Sequence, residues 1–201
     1  MIDYVATFIL FFAVIDPIGT VPVFLAVTQP YGESERRAIA FRAALISACI
    51  LVFFVLVGEL ILAAMDIPLP AFQIGGGIVL FLFALTMIFG ESKPEDEIKM
   101  IANVRETAVF PLAVPSIASP GAMLAAVLRT ENARYGLVEQ AQTTAVILAV
   151  LLIALGMMLA ANRLHRIIGD TGASVVSRVM GMILSSVAAA NVLAGIKAYF
   201  S

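Results

Sequence analysis

The sequence predicts an all-α polytopic membrane helix bundle: six spans, arranged as two inverted three-helix repeats, with the first and fourth helices broken at mid-membrane. Three observations carry that expectation. The 201-residue chain is 62% hydrophobic and 13% charged, with mean hydropathy +1.05, and a soluble domain of that length needs far more polar surface. The apolar residues come in blocks of about 20, the length that crosses a bilayer as a helix. Two of the blocks carry a capping residue followed by proline deep inside them, Asp16-Pro17 and Ser119-Pro120.

The blocks run over 4–28, 38–64, 70–89, 107–128, 141–161 and 175–200. The first does not read as a convincing signal peptide: Asp3 precedes it, with no Lys or Arg ahead and no small-x-small cleavage site in a polar flank. The connectors "QPYGESERR", "MDIPL", "RTENARYGLVEQ" and "NRLHRIIGDTGAS" are short. The longest and most polar, over 91–105, is a cytoplasmic connector between a first repeat, 1–90, and a second, 106–201. No connector is long enough for a soluble domain, so the whole chain forms one membrane domain. With both termini outside, the inner connectors hold Arg36, Arg37, Arg42, Lys93, Lys99, Arg105, Arg163, Arg166 and Arg178, nine of the twelve Lys and Arg, as the positive-inside rule asks. Folding the first and fourth blocks back as re-entrant hairpins leaves four spans and the same charge balance. The length of both blocks favours six. The multi-pass protein is expected in the inner or plasma membrane, with the lipid bilayer as its first partner.

The halves resemble each other. "QIGGGIVL" lines up with "RVMGMILS", setting Gly76 opposite Gly181, Thr86 opposite Asn191 and Gly90 opposite Gly195, and "DPIG" matches "SPGA". Three spans per half invert the second half in the membrane, an arrangement found in secondary transporters with interrupted helices.

Asp16 poses the sharpest question. An acid at that depth costs roughly 2.5–3.5 kcal/mol on insertion scales. Asp then Pro is the sequence of a helix start, the first capping free N–H groups and the second fitting the first helical position. Ser119-Pro120 has the same form. Both blocks therefore read as broken helices whose second pieces begin inside the membrane and meet near the midplane. Such starts carry partial positive charge and unpaired N–H donors, which suit a carboxylate. Gly19 and Gly121 let a ligand approach the backbone, and Thr20, Ser116 and Ser119 add neutral hydroxyls. Asp16 offsets its own positive end and suits a cation or ammonium group, whereas Ser119 leaves its end electropositive. A small zwitterion fits between them. Each of these residues also has a structural reading, as the cap of a kinked helix touching no ligand. Pro17 and Pro120 shape such a site rather than bind.

Thr86 and Asn191 either bond across helices or line a cavity. Gly75, Gly76 and Gly77 read as a close-packing face. Arg178 fits the cytoplasmic boundary and Glu59 the outer interface. The lone Cys49 allows no intramolecular disulfide. His165 has no cysteine or acidic cluster beside it, so no metal set appears, and no serine sits in a nucleophile elbow. No enzyme chemistry, cofactor or nucleic-acid surface is expected. Either Na+ or H+ would serve as coupling ion.

"DPIGTVPVF", "ERRAIAFRA", "IGGGIVLFLFALTMIFG", "FPLAVPSIASPGAM" and "SRVMGMILSSVAAANVLAGI" together resemble the MarC family of integral membrane proteins over nearly the whole chain. The resemblance implies six spans in the inner or plasma membrane, and in an archaeal branch the transport of small neutral amino acids. It carries signatures onto Asp16, Pro17, Gly19 and Pro22, then Pro115, Pro120 and Gly121, then Arg178, Gly181 and Gly195. The chain departs from the pattern at Thr20, where the family often has Asn, and at Ser119, where it often has Gly. The expectation is a secondary carrier for small neutral amino acids or related metabolites. A non-transporting scaffold or accessory protein, or a channel, is the alternative.

Overall fold

The computed structural model describes residues 3–89, 108–132 and 134–200; the expected connector over 91–105 lies outside them. Seven α-helices follow in order: α1 (Tyr4–Ile15), α2 (Pro17–Thr28), α3 (Glu33–Ala64), α4 (Leu69–Phe89), α5 (Pro120–Leu128), α6 (Leu137–Leu159) and α7 (Ala161–Phe200). An irregular segment, Ala108–Ile117, precedes α5.

Among the described residues, five stretches are long and apolar enough to cross a membrane, and Ala108–Ile117 with Pro120–Leu128, bent by 55°, makes a sixth when taken as one span. Tyr4–Thr28 is the centre of the bundle: 67% of its most apolar window is buried, against 22–33% for the other four spans. Phe11, Ile15 and Val23 of that span are buried among Leu51, Leu80, Leu112 and Ile147 from the surrounding elements. Exposed side chains such as Leu56, Leu82 and Leu152 form an apolar outer face, as lipid requires.

Local chemistry explains most boundaries. The α1 helix starts at Asp3, whose carboxylate accepts the Ala6 N–H at 3.0 Å. The α3 and α6 helices start alike. In Tyr31-Gly32-x-x-Glu35 the Glu35 carboxylate accepts the Gly32 N–H at 3.0 Å, and in Tyr135-Gly136-x-x-Glu139 the Glu139 carboxylate accepts the Gly136 N–H at 3.2 Å. The residue behind each glutamate closes the turn in the same way. Arg36 Nε donates to the Tyr31 carbonyl and Gln140 Nε2 to the Tyr135 carbonyl, both at 3.0 Å. Arg36 also donates to the carbonyls of Thr28 and Gln29 at the end of α2, where a cation suits the helix dipole. Asp66 (φ 54) turns α3 into α4.

The stretch 162–174, expected as a connector, is helical instead. Gly169 (φ 65, ψ 174) interrupts α7 there, a conformation open essentially only to glycine, and the membrane-length part is Ser174–Phe200. The fourth span also departs from a plain helix. Phe110 (φ −133, ψ 125) and Val114 (φ −132, ψ 126) are extended, because each precedes a proline whose ring excludes the helical region.

The most extensive packing in the bundle is α4 against α7. Gly77 lies against the Ala188 carbonyl and Val192, Gly181 against the Ala84 carbonyl and Ile88, and Gly195 against Pro70 and Ile74. The two helices are therefore antiparallel, with glycines letting the backbones approach. Gly76 packs on Leu124 of α5, so the close-packing face holds for Gly76 and Gly77 and not for Gly75, beside which nothing lies within 4 Å. Around this pair, α1 and α2 pack on α6 while Ala108–Ile117 and α5 pack on α3, and α2 meets α7 while α5 meets α4.

Candidate functional site

Two chain breaks face each other inside the bundle. At the first, Asp16 adopts the left-handed conformation (φ 47, ψ 67), which a short polar side chain tolerates better than most. It ends α1 through its own N–H, donated to the Phe12 carbonyl at 3.0 Å. It begins α2 through its carboxylate, whose Oδ1 accepts the Gly19 N–H at 3.0 Å. At the second, Ser119 is extended (φ −70, ψ 158) and its Oγ accepts the Ala122 N–H at 3.2 Å. Both sites are thus N-caps with proline at the first helical position.

The second break satisfies a backbone group of the first. Ending α1 early leaves carbonyls with no partner in their own helix, and in an apolar interior such groups need one. Ser119 Oγ donates to the Val14 carbonyl at 2.9 Å, and the hydroxyls of Thr20 and Ser116 lie 3.3 Å apart. Thr20 also donates to the Asp16 carbonyl. A third element joins them: Ser177 Oγ of α7 donates to Asp16 Oδ2 at 3.1 Å. Asp16, Thr20, Ser116, Ser119 and Ser177 are all 0–1% exposed. Hydrogen bonds to a charged acceptor contribute about 1.5–3 kcal/mol each. Those from Gly19 and Ser177 therefore offset the roughly 2.5–3.5 kcal/mol that an acid costs at this depth.

Of the residues singled out in the sequence, Asp16, Pro17, Gly19, Thr20, Ser116, Ser119 and Gly121 are buried at this junction. Pro120 is exposed beside Ser119. The space left by the two glycines is filled by protein. A Cβ on Gly19 would collide with the Asp16 carboxylate and lie 2.7 Å from Ser177 Oγ, and one on Gly121 would lie 2.5 Å from a Leu80 methyl. At both glycines the junction is therefore filled by protein. A cavity of about 50 Å³ beside Glu33, Arg36 and Asn162 and an apolar groove of about 390 Å³ between α3 and α6 both lie elsewhere.

Thr86 and Asn191 are not brought to the junction. Thr86 is exposed and donates to the Phe83 carbonyl of its own helix at 2.7 Å. Asn191 is half-buried on α7, about 20 Å along the axis from Ser177 at 1.5 Å per residue. Ser177 is the site residue that sequence reading missed. One serine in an apolar helix has no local signature; its only cue is its place at the start of the last span.

A buried acid held by two interrupted helices, inside a sheath of membrane-length apolar helices, defines a multi-pass integral membrane protein. Its sequence matches the MarC family integral membrane protein pattern over residues 1–200. The chain belongs to that family. It is 35% identical to the UPF0056 membrane protein YvbG of Bacillus subtilis, over 98% of this chain and 95% of the relative. It is 34% identical to the UPF0056 membrane protein MJ1677 of Methanocaldococcus jannaschii, over 96% of each. The UPF0056 membrane protein YhcE of Escherichia coli is 32% identical, over 98% of this chain and 93% of the relative. No solved structure matches the chain.

Proposed function

We propose that the protein is a secondary carrier for small neutral amino acids or closely related zwitterions, working by alternating access around the two breaks. One observation carries the reading. Two cap-proline breaks far apart in sequence converge on a buried polar cluster, linked by the Ser119–Val14 bond at 2.9 Å and the Thr20–Ser116 contact at 3.3 Å. The chemistry of the ends selects the ligand class. Asp16 suits an ammonium group. The start of α5, capped by an uncharged serine, keeps its partial positive charge and suits a carboxylate.

The packing supports inverted repeats. Exchanging α1, α2, α3 and α4 for Ala108–Ile117, α5, α6 and α7 carries most of the contacts of one half onto those of the other, although that of α1 with α7 has no counterpart as extensive. The Tyr-Gly-x-x-Glu helix starts and the contacts of Gly77 and Gly181 exchange likewise. They favour a register that pairs Gly77 with Gly181, one position from the Gly76–Gly181 match read in the sequence. Taking the bent pair as one span gives six spans and, with the basic connectors inside, both termini outside. Tag accessibility at Met1 and Ser201 tests that orientation.

The rival reading is a non-transporting scaffold, and it draws on the same junction: the described caps and hydroxyls bond to one another. Purified full-length protein in liposomes, given labelled glycine or alanine with and without sodium or proton gradients, separates the two. Saturable flux selects the carrier, and no flux of any small metabolite selects the scaffold.

A further inference from the structure

We infer that Ser177 is the group a substrate displaces: its hydroxyl occupies Asp16 Oδ2 in the closed state and gives that oxygen up to the substrate's ammonium group. The inference rests on the carrier reading above and adds the last helix to the site.

The two carboxylate oxygens of Asp16 are held in different ways. Oδ1 takes the Gly19 N–H, a bond three residues along the same turn, which α2 keeps wherever it moves. Oδ2 takes the Ser177 hydroxyl, from an element 161 residues away. A hydroxyl presents one neutral O–H, whereas an ammonium presents three N–H donors and full charge. Both donors meet a charged acceptor, but only the ammonium adds a charge of its own, whose Coulomb attraction to the carboxylate at this depth favours the exchange.

The exchange needs space. Gly19, Asp16 and Ser177 are in contact, with only 2.7 Å between Ser177 Oγ and the position of a Cβ on Gly19. An ammonium therefore reaches Oδ2 only as α7 draws back. Gly169 breaks α7 ahead of Ser177, and α7 packs on α4 and, less extensively, on α2. Ser177 stands on the last helix and Asp16 on the central broken span, and their bond is a polar tie between the two.

Removing the hydroxyl removes one competitor for Oδ2. In proteoliposomes of the full chain, Ser177→Ala is expected to lower the half-saturating glycine concentration by about tenfold, the weight of one hydrogen bond to a charged group, without raising the maximal rate. In detergent the same variant is expected to melt lower without ligand and to gain more from glycine than the wild type does. Ser177→Thr, which keeps the hydroxyl, restores the wild-type half-saturation. Ser177→Cys in a Cys49→Ala background, with its weak thiol donor, falls between and replaces the alanine variant if that fails to fold. A merely structural serine would give a lower rate with half-saturation unchanged or raised; that result overturns the inference while leaving the carrier intact. A wild type that shows neither saturable flux nor a melting shift with glycine or alanine removes the carrier reading and this inference together.

Discussion

The two breaks make the same helix start with different means. Asp16 turns the chain in a single left-handed residue, and Tyr4–Thr28 continues beyond it as one span. The second break is reached through the extended residues Phe110 and Val114, and the chain bends by 55° across Ser119. One cap is a carboxylate and the other a hydroxyl. The difference teaches that a helix start inside the membrane is defined by satisfied backbone groups and not by one backbone geometry. It also divides the labour. The first break brings charge to the junction, and the second brings the donor that closes a carbonyl of the first.

Four substitutions test that division. Asp16→Asn is expected to have the largest effect. Asparagine caps helices as well as aspartate does and tolerates the left-handed conformation, so the variant removes charge and keeps shape. Glycine uptake is expected to fall by at least about tenfold with little change in melting temperature; unchanged uptake would sink the ammonium role.

Gly19→Ala comes next. Its methyl group meets the Asp16 carboxylate and Ser177, and neither can yield without breaking a bond. A loss of about 1–3 kcal/mol, typical of overpacking, is expected in thermal unfolding; a variant as stable as wild type would show that the junction is looser than described.

At the second break, Ser119→Ala removes a cap and the donor to the Val14 carbonyl. Destabilisation of about 1–2 kcal/mol is expected, read by the same melting assay. A loss equal to that of Asp16→Ala would erase the distinction between the two caps.

Gly121→Ala is the mild counterpart of Gly19→Ala. It presses only on a Leu80 methyl, which can rotate away, and alanine favours the helix over glycine by about 1 kcal/mol. A net change within about 0.5 kcal/mol is expected. A drop as large as that of Gly19→Ala would mean that the two glycines are equivalent after all.

Both breaks were legible because a cap followed by proline is a local signal, and an acid in an apolar block demands partners wherever it sits. Their convergence was legible only through the repeat. Ser177 was not, since its role comes from a contact 161 residues away. Thr86 and Asn191 were singled out from a match of helices one position from the register that the glycine contacts favour, and a shift of one turns a helical residue by about 100°. The irregular Ala108–Ile117 had a cue in Pro111 and Pro115, whose effect on the preceding residue is steric. The repeated Tyr-Gly-x-x-Glu starts lay in connectors, where polar residues draw less notice than those inside apolar blocks.

Arg36 has a mechanical consequence. One guanidinium, rooted in the first turn of α3, grips the carbonyls of Thr28, Gln29 and Tyr31. The corner between α2 and α3 is therefore braced. A displacement of the end of α2 would therefore carry into the 32 residues of α3 through a corner that has no slack.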